Sequence, residues 1–518
     1  MNRWGHRNVL AGGGGRGILS ATHWLKKLLP LLTLLTVIVR GIAASPPNIV
    51  FVLADDLGYG DLGCHGNPVV QTPHIDGFAR EGIRFTDFHV SPTCSPTRAA
   101  LLTGRHEFRS GVTHTILERE RLALDATTIA QVLKGAGYHT GIFGKWHLGD
   151  EPTYQPGRRG FDEVFIHGAG GIGQTYPGSC GDAPGNTYFD PAILHNGTFE
   201  KTKGYCTDVF FGEALKWMDR QRNNKSPFIA WIAPNAPHSP LQCPEDYAKR
   251  YADKVPENLA KFYGMIQNID DNFGALLAKL KEWRLDQNTL VIFMGDNGSA
   301  SGANFFNAGM RASKATPYNG GTRVASLWRW PAGFKGGMDV GKLTAHVDVF
   351  PTFAELAGAK IPERLKLDGR SLLPLWKDAA ATWPERYLFT HVGRWPRGKA
   401  AESKYANCAV VGSQFHLVNN QELYEVKADP GERKNVFAEH PEAVAEMRQA
   451  YDQWWNDVLP ALVNENAVGP KLNSFKELYW KQFGGGPDET LLKKMDPASP
   501  LEGRQEKGKA TKTGSSSP

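Results

Sequence analysis

Beyond its first 44 residues the sequence has no excess of charge of either sign. The formal charge of +6 comes from Arg3, Arg7, Arg16, Lys26, Lys27 and Arg40; without them the basic residues equal the 53 acidic ones in number. That removes the compositional support for a nucleic-acid-binding surface. No segment reaches the roughly 20 apolar residues of a membrane span. Self-similarity at a period of 20–50 residues is also missing, which argues against a solenoid or a propeller. Cysteine is scarce: six in 518 residues allow at most three bridges, in any of fifteen connectivities. Apolar residues at 41% and charged residues at 22% exclude wholesale disorder and a fibrous protein.

Lys26 and Lys27 stand before an apolar run, Leu28 to Val39, followed by the small residues Gly41, Ala43, Ala44 and Ser45. A basic region, a short apolar core and small residues near a cut site describe a secretory signal peptide over residues 1–44, the alternative being an uncleaved anchor. Export to the periplasm or the extracellular space follows. It permits disulfides, and Cys180 and Cys206, flanking a Gly/Pro-rich loop, are the expected pair. Asn196-Gly197-Thr198 and Asn297-Gly298-Ser299 match the glycosylation pattern, and the second is expected to stay bare.

After the leader, buried-strand runs alternate with helices. Asn48–Ala54, Phe228–Ala233 and Leu290–Met294 are continuous apolar runs of the kind buried on both faces of a parallel sheet. A helix is predicted from Thr127 or Thr128 to the Gly135–Gly137 pair, a strand over Tyr138–Phe143, and a helix over Leu259–Leu280. This predicts a doubly wound α/β domain over residues 45–375. From there to residue 475 short strands such as Phe415–Val418 predict a smaller α+β domain. Its helix begins at Pro441 and carries Val444, Met447, Tyr451, Trp454, Trp455 and Val458 on one face. Residues 476–518 read as a polar tail, disordered beyond about residue 490.

In open α/β sheets ligands sit beyond the carboxyl ends of the strands. Those ends here carry Asp55-Asp56, Lys145 with His147, His238, and Asp296-Asn297. Either acidic pair alone is equally a pair of turn formers or helix caps. Together they offer hard oxygen ligands for Ca²⁺, or less favourably Mg²⁺. Cationic groups around them suit an oxyanion, the chemistry of phosphoryl or sulfuryl transfer.

Cys94-Ser95-Pro96-Thr97-Arg98 followed by Leu101-Leu102-Thr103-Gly104-Arg105 resembles the hallmark of the formylglycine-dependent sulfatases of the alkaline phosphatase superfamily, with Thr97 where Ser is commoner. Five further segments are similar to that family in the same order: Asn48–Asp56 with Gly58–Leu62, Gly144–Gly149, Ala236–Pro240, Gly295–Gly298, and Lys314 with Tyr318–Val324, where Asn319 stands in place of Glu. Leu423–Glu425 through Asn435-Val436 resembles the carboxy-terminal hallmark.

The resemblance implies an alkaline phosphatase-like fold. It implies a Cys94 oxidised to formylglycine by a formylglycine-generating enzyme, and a hydrate of that aldehyde attacking sulfur and later expelling sulfate. By position it implies Asp55, Asp56, Asp296, Asn297 and the residue-94 hydrate as Ca²⁺ ligands. Arg98 and Lys145 would hold the hydrate, His147 would take its proton, and His238 and Lys314 would contact sulfate and the leaving oxygen. The implied substrate is a sulfate ester, of a glycan by preference or of an aryl alcohol. Gly168–Cys206 and Ser299–Arg311 are expected to border it with Tyr176, Tyr188, Phe189, Asn304, Phe305, Phe306 and Asn307. A phosphodiesterase or phosphonate monoester hydrolase of the same superfamily is the alternative enzyme. A non-catalytic sulfated-glycan-binding protein is the alternative from another class, and none of the six catalytic positions it would be expected to lose is lost.

Overall fold

A ten-stranded mixed sheet organises the chain. The computed structural model describes residues 46–499; the expected signal peptide and the end of the tail lie outside the described residues. The strands are β1 (Asn48–Ala54), β2 (Ile83–Phe85), β3 (Phe88–His89), β4 (His139–Lys145), β5 (Glu163–His167), β6 (Ala192–His195), β7 (Thr198–Lys201), β8 (Phe228–Ala233), β9 (Thr289–Gly295), β10 (Ser326–Arg329), β11 (Met338–Val340), β12 (Thr344–Ala345), β13 (Leu388–His391), β14 (Cys408–Val411), β15 (Phe415–Val418) and β16 (Glu422–Glu425). The longer helices are α1 (Pro73–Glu81), α2 (Cys94–Thr103), α3 (Ile129–Gly135), α4 (Cys206–Gln221), α5 (Glu257–Glu282), α6 (Val349–Leu356), α7 (Pro441–Val458), α8 (Ser474–Phe483) and α9 (Glu489–Met495).

The sheet order is β11-β2-β10-β9-β1-β8-β4-β5-β6-β7. Its centre, β9-β1-β8-β4-β5, is entirely parallel, and antiparallel strands close both flanks. Successive side chains of a strand face opposite sides. Accordingly Ile49, Phe51 and Leu53 of β1 enter one core, packed with α2, α3 and α6. Val50, Val52 and Ala54 enter the other, packed with α1, α4 and α5. Two buried faces explain why the β1 sequence is continuously apolar rather than alternating. Thr128 caps α3, accepting from Gln131 N while Gln131 Oε1 accepts from Thr128 N.

The second sheet, β13-β14-β15-β16, is antiparallel. α7 covers it with the six side chains expected from its periodicity, all buried. At about 1.5–3 kcal/mol for each large apolar side chain removed from water, that stripe is what holds α7 down. Phe108 of the catalytic layer shares this core with Trp395, Trp454 and Trp455, so the described residues form one compact unit.

Two expectations are corrected. The chain is helical in α8 and α9, across the position where the polar tail was expected to begin and beyond residue 490. Phe475 packs on Phe199, Lys476 Nζ donates to Asp182 O at 2.7 Å, and Met495 is buried, its carbonyl accepting from Gly178 N at 2.8 Å. Apolar residues at helical spacing outweigh the polar composition around them. Cys180 and Cys206 are free thiols, not a bridge. Cys180 packs with Ile116 and Ala169, whereas Cys206 opens α4 in a different apolar cluster.

Candidate active site

Parallel register brings the chemistry together. Ala54 pairs with Gly295, so Asp55-Asp56 leaves the sheet beside Asp296-Asn297. β4 delivers Lys145 and His147 one strand beyond β8, whose own end delivers Asn235 and His238. α2 starts opposite these ends. Cys94 is its first residue, and Arg98, four residues on, lies on the same helical face. Thr97 Oγ1 donates to Ser91 O at 3.0 Å, fixing the turn before the helix.

The resulting cluster is buried and dense. Arg98 Nη2 donates to Asp296 Oδ2 at 2.8 Å and Nη1 to Lys145 O at 3.0 Å. Lys145 Nζ donates to Asp55 Oδ2 at 2.6 Å, and Asn235 Nδ2 to the same oxygen at 2.8 Å. Asn297 Nδ2 donates to Asp56 Oδ1 at 3.0 Å. Lys314 Nζ pairs with Asp56 Oδ1 and lies 3.4 Å from Cys94 Sγ. His238 Nε2 is 3.7 Å from Asp56 Oδ2. His147 Nε2 meets Thr115 O at 2.7 Å, leaving a buried Nδ1 without a partner. Gly170 lies against this ring: a Cβ there would sit 2.4 Å from it.

Electrostatics follow from burial plus charge crowding. Burial and the neighbouring Asp55 carboxylate push Asp296 up to about 6. Burial also opposes ionisation of Asp56, but Lys314, His238 and Lys145 overcome it and hold its carboxyl below the usual range. For Lys314, burial is outweighed by Asp56, so its ammonium is held more firmly than an ordinary lysine's. Burial lowers His238 to about 4 and His147 well below its ordinary value. The Cys94 thiol is pushed up to about 12 by burial, so it stays protonated and is no nucleophile as it stands.

The donor set fits a hard cation. Asp55, Asp296 and Cys94 place ligand atoms within 4.8 Å of one another, as do Asp56, His238 and Cys94. Asp55 Oδ1 and Asn297 Oδ1 are buried with no hydrogen-bond partner. Carboxylate and amide oxygens of this kind are what Ca²⁺ prefers, and a buried thiol among them is the odd member. Asn297 is fully buried, as expected for a residue that carries no sugar.

A cavity of about 270 Å³ opens above Cys94. His147, His238 and Lys314 line it, together with Thr115, Gly170, Gln174, Tyr176, Ser313 and Arg394. Tyr176 is the one member of the expected aromatic and amide set that lines it. Tyr188 is buried and donates to Asn235 O and His238 O, holding the histidine loop instead. Asn307 donates to Met310 O and Ala312 O; Phe189 and Phe305 are exposed outside the cavity. Sequence reasoning missed Asn235, although it follows β8 as the two acidic pairs follow β1 and β9. It also missed Arg394, for which no motif gives a signal. Asn319, the departure from the family pattern, receives a carboxylate from elsewhere: its N donates to Glu432 Oε2 at 3.0 Å. The Lys314 segment and the carboxy-terminal hallmark thus form one joint.

Strand-end oxygens, buried cations and an anion-sized cavity on a doubly wound sheet define an alkaline phosphatase-like hydrolase of oxyanion esters. The sulfatase family profile matches residues 47–359, and the profile of the N-sulphoglucosamine sulphohydrolase C-terminal region matches residues 313–455; the chain belongs to the sulfatase family. It is 32% identical over 473 residues to arylsulfatase A of Homo sapiens, covering 81% of this chain and 89% of that protein. It is 33% identical over 401 residues to N-acetylgalactosamine-6-sulfatase of Sus scrofa, covering 73% and 74%. Among solved structures it resembles Ps i-CgsB in complex with k-i-k-neocarrahexaose, with a TM-score of 0.73 and 28% identity over 84% of this chain and 97% of that one. Sulfate ester hydrolysis is the activity these relations establish.

Proposed function

We propose that this sulfatase is exported and releases sulfate from a sulfated carbohydrate, using formylglycine made from Cys94 beside a Ca²⁺ ion. The single observation that carries the reading is the position of Cys94: its Sγ lies at the first turn of α2, on the cavity floor, between carboxylate and amide oxygens on one side and Lys314 and His238 on the other. A formylglycine hydrate would supply a hydroxyl nucleophile there in place of a protonated thiol. Asp55, Asp56, Asp296 and Asn297 would hold the cation, which would supply a fixed positive charge for the sulfate oxygens.

The chain's own groups divide the remaining work. Arg98 and Lys145 brace Asp296 and Asp55, so the acidic residues keep their geometry against mutual repulsion. The helix amino terminus at Cys94 favours negative charge on residue 94. Lys314 and His238, which line the cavity together with Cys94, would contact the transferred sulfuryl group and its leaving oxygen. His147 Nε2 is engaged with Thr115 O, so Nδ1 is the nitrogen left that could exchange a proton with residue 94. The carbohydrate reading is supported by the N-acetylgalactosamine-6-sulfatase relative and by the oligosaccharide bound to Ps i-CgsB. Export rests on the leader sequence.

The test is sulfate release from a panel of sulfated mono- and oligosaccharides, alongside an aryl sulfate and an aryl phosphodiester, by protein whose residue 94 has been checked for modification. Carbohydrate turnover above aryl turnover is expected. Preference for the phosphodiester would overturn the reading.

A further inference from the structure

Most polar side chains around the cavity are engaged within the protein. Thr115 Oγ1 accepts from Arg394 Nη2, Lys314 Nζ pairs with Asp56, and His238 Nδ1 meets Ser239 O at 2.6 Å. Gln174 lines the same cavity and differs. It is half-buried, and among the described residues its side-chain amide meets no hydrogen-bond partner. Taking an amide out of water without a replacement bond is costly. Its donor and its acceptor are therefore left to be met by whatever fills the cavity.

The backbone holds this amide in place. Asp182 Oδ1 accepts from Gly168 N at 3.0 Å and Oδ2 from Gly173 N at 2.8 Å, while Asp182 N donates to Gln174 O at 2.9 Å. Gln174 N donates in turn to Gly171 O at 3.1 Å. The loop so turns back on itself, and the amide lies against Gly171, where a Cβ would sit 2.7 Å from Gln174 Cδ. A Cβ on the residue before, Gly170, would meet the His147 ring. Amide and ring thus flank one short stretch of backbone, and both line the cavity that contains Cys94. A group ordered before the ligand arrives loses little freedom on binding it.

A carboxamide presents a carbonyl acceptor and an N–H donor side by side in one plane. Two adjacent hydroxyls of a sugar ring complement it, one donating to Oε1 and the other accepting from Nε2. Each hydroxyl is both donor and acceptor, so the pairing holds either way round. A second sulfate or a carboxylate offers only acceptors and would leave Oε1 facing lone pairs. An aryl ring offers neither partner. At about 270 Å³ the cavity is at the small end of ligand sites, which fits a single ring.

We propose that Gln174 is a specificity-determining residue that binds a pair of adjacent free hydroxyls on the sugar carrying the sulfate ester. This deepens the sulfated-carbohydrate reading and rests on it. The competing role is structural, with Gln174 merely packing the loop over Gly171.

The test uses the 6-sulfates of methyl galactoside and methyl glucoside, each beside its 3-deoxy analogue. Loss of the 3-hydroxyl leaves the 2- and 4-hydroxyls but no adjacent pair. Affinity is measured by calorimetry, independently of turnover, and sulfate release is followed in parallel with that from 4-nitrophenyl sulfate. Wild-type protein should bind at least one parent sugar roughly 10-fold or more tighter than its 3-deoxy analogue. Gln174→Met keeps the length of the side chain and loses both hydrogen-bonding groups; it should bring that ratio to within about 3-fold, as should Gln174→Ala. A packing role would be rescued by Gln174→Met, and its loss would weaken both ligands of a pair alike. The proposal is overturned if neither parent sugar outbinds its 3-deoxy analogue, or if Gln174→Met keeps the wild-type ratio. An intact ratio with 4-nitrophenyl sulfate hydrolysed and no sugar sulfate hydrolysed would instead count against the carbohydrate reading alone.

Discussion

The floor of the cavity and its outer wall are built on different principles. The floor consists of residues at the ends of parallel strands and at the start of α2: register sets Asp55 beside Asp296, and the long Lys145 side chain reaches Asp55 from two strands away. Its side chains are buried and paired with one another. The outer wall is made of loop residues from three distant parts of the chain, Thr115, Gln174 with Tyr176, and Arg394. Gln174, Tyr176 and Arg394 are only half-buried. The difference teaches where chemistry and selectivity reside. A buried, mutually paired floor suits a reaction that every sulfate ester shares, and a wall of loop residues suits what distinguishes one ester from another.

Substitutions should separate the two. The largest effect belongs to the floor: Cys94→Ala should cost at least about 10⁴-fold in kcat on every substrate, aryl or sugar, because it removes the proposed precursor of the nucleophile. Chelation of divalent cations should cost roughly 10²-fold or more and lower Tm, since Asp55, Asp56 and Asp296 are left facing one another; added Ca²⁺ should restore both. Arg98→Ala leaves buried Asp296 without its partner, and should destabilise by about 3–5 kcal/mol in denaturant unfolding when no cation is present. Gly170→Ala sits at the boundary. Its Cβ would displace His147, and kcat should fall by roughly 10- to 100-fold with KM little changed.

The smallest effect on turnover belongs to a pH dependence of stability confined to the wall. Asp150 accepts from Ala169 N and Gly181 N, holding the loop that carries Gln174 and Tyr176, and burial raises it from 3.8 to about 8. A carboxyl raised in the folded state contributes stability below its unfolded value and loses that contribution as pH rises through about 8. Asp150→Asn should flatten the fall of Tm between pH 4 and 8 without altering the floor. An unchanged pH slope in that variant would remove Asp150 from the account.

The floor was legible in the sequence because its residues are tied to strand ends and to a local motif. The β1 and β8 boundaries match the apolar runs residue for residue, and the sixfold apolar face of α7 is buried as its spacing implies. All of the expected floor residues converge. The wall was not legible, because nothing local to Gly393-Arg394 announces a residue whose neighbour, Thr113, is about 280 positions away. The loop aromatics show the same limit: Tyr176 faces the cavity, whereas Tyr188, in the same loop, serves as a brace. The absent Cys180–Cys206 bridge fails for a related reason, since proximity in sequence does not decide which apolar cluster a side chain joins.

The central claim is tested most directly by peptide mass spectrometry across Cys94, on protein whose sulfate-ester turnover has been measured in the same preparation. Conversion of CH₂–SH to CHO lowers the residue mass by about 18 Da, and the fraction converted should scale with kcat. An intact Cys94 thiol in a fully active preparation would contradict the account.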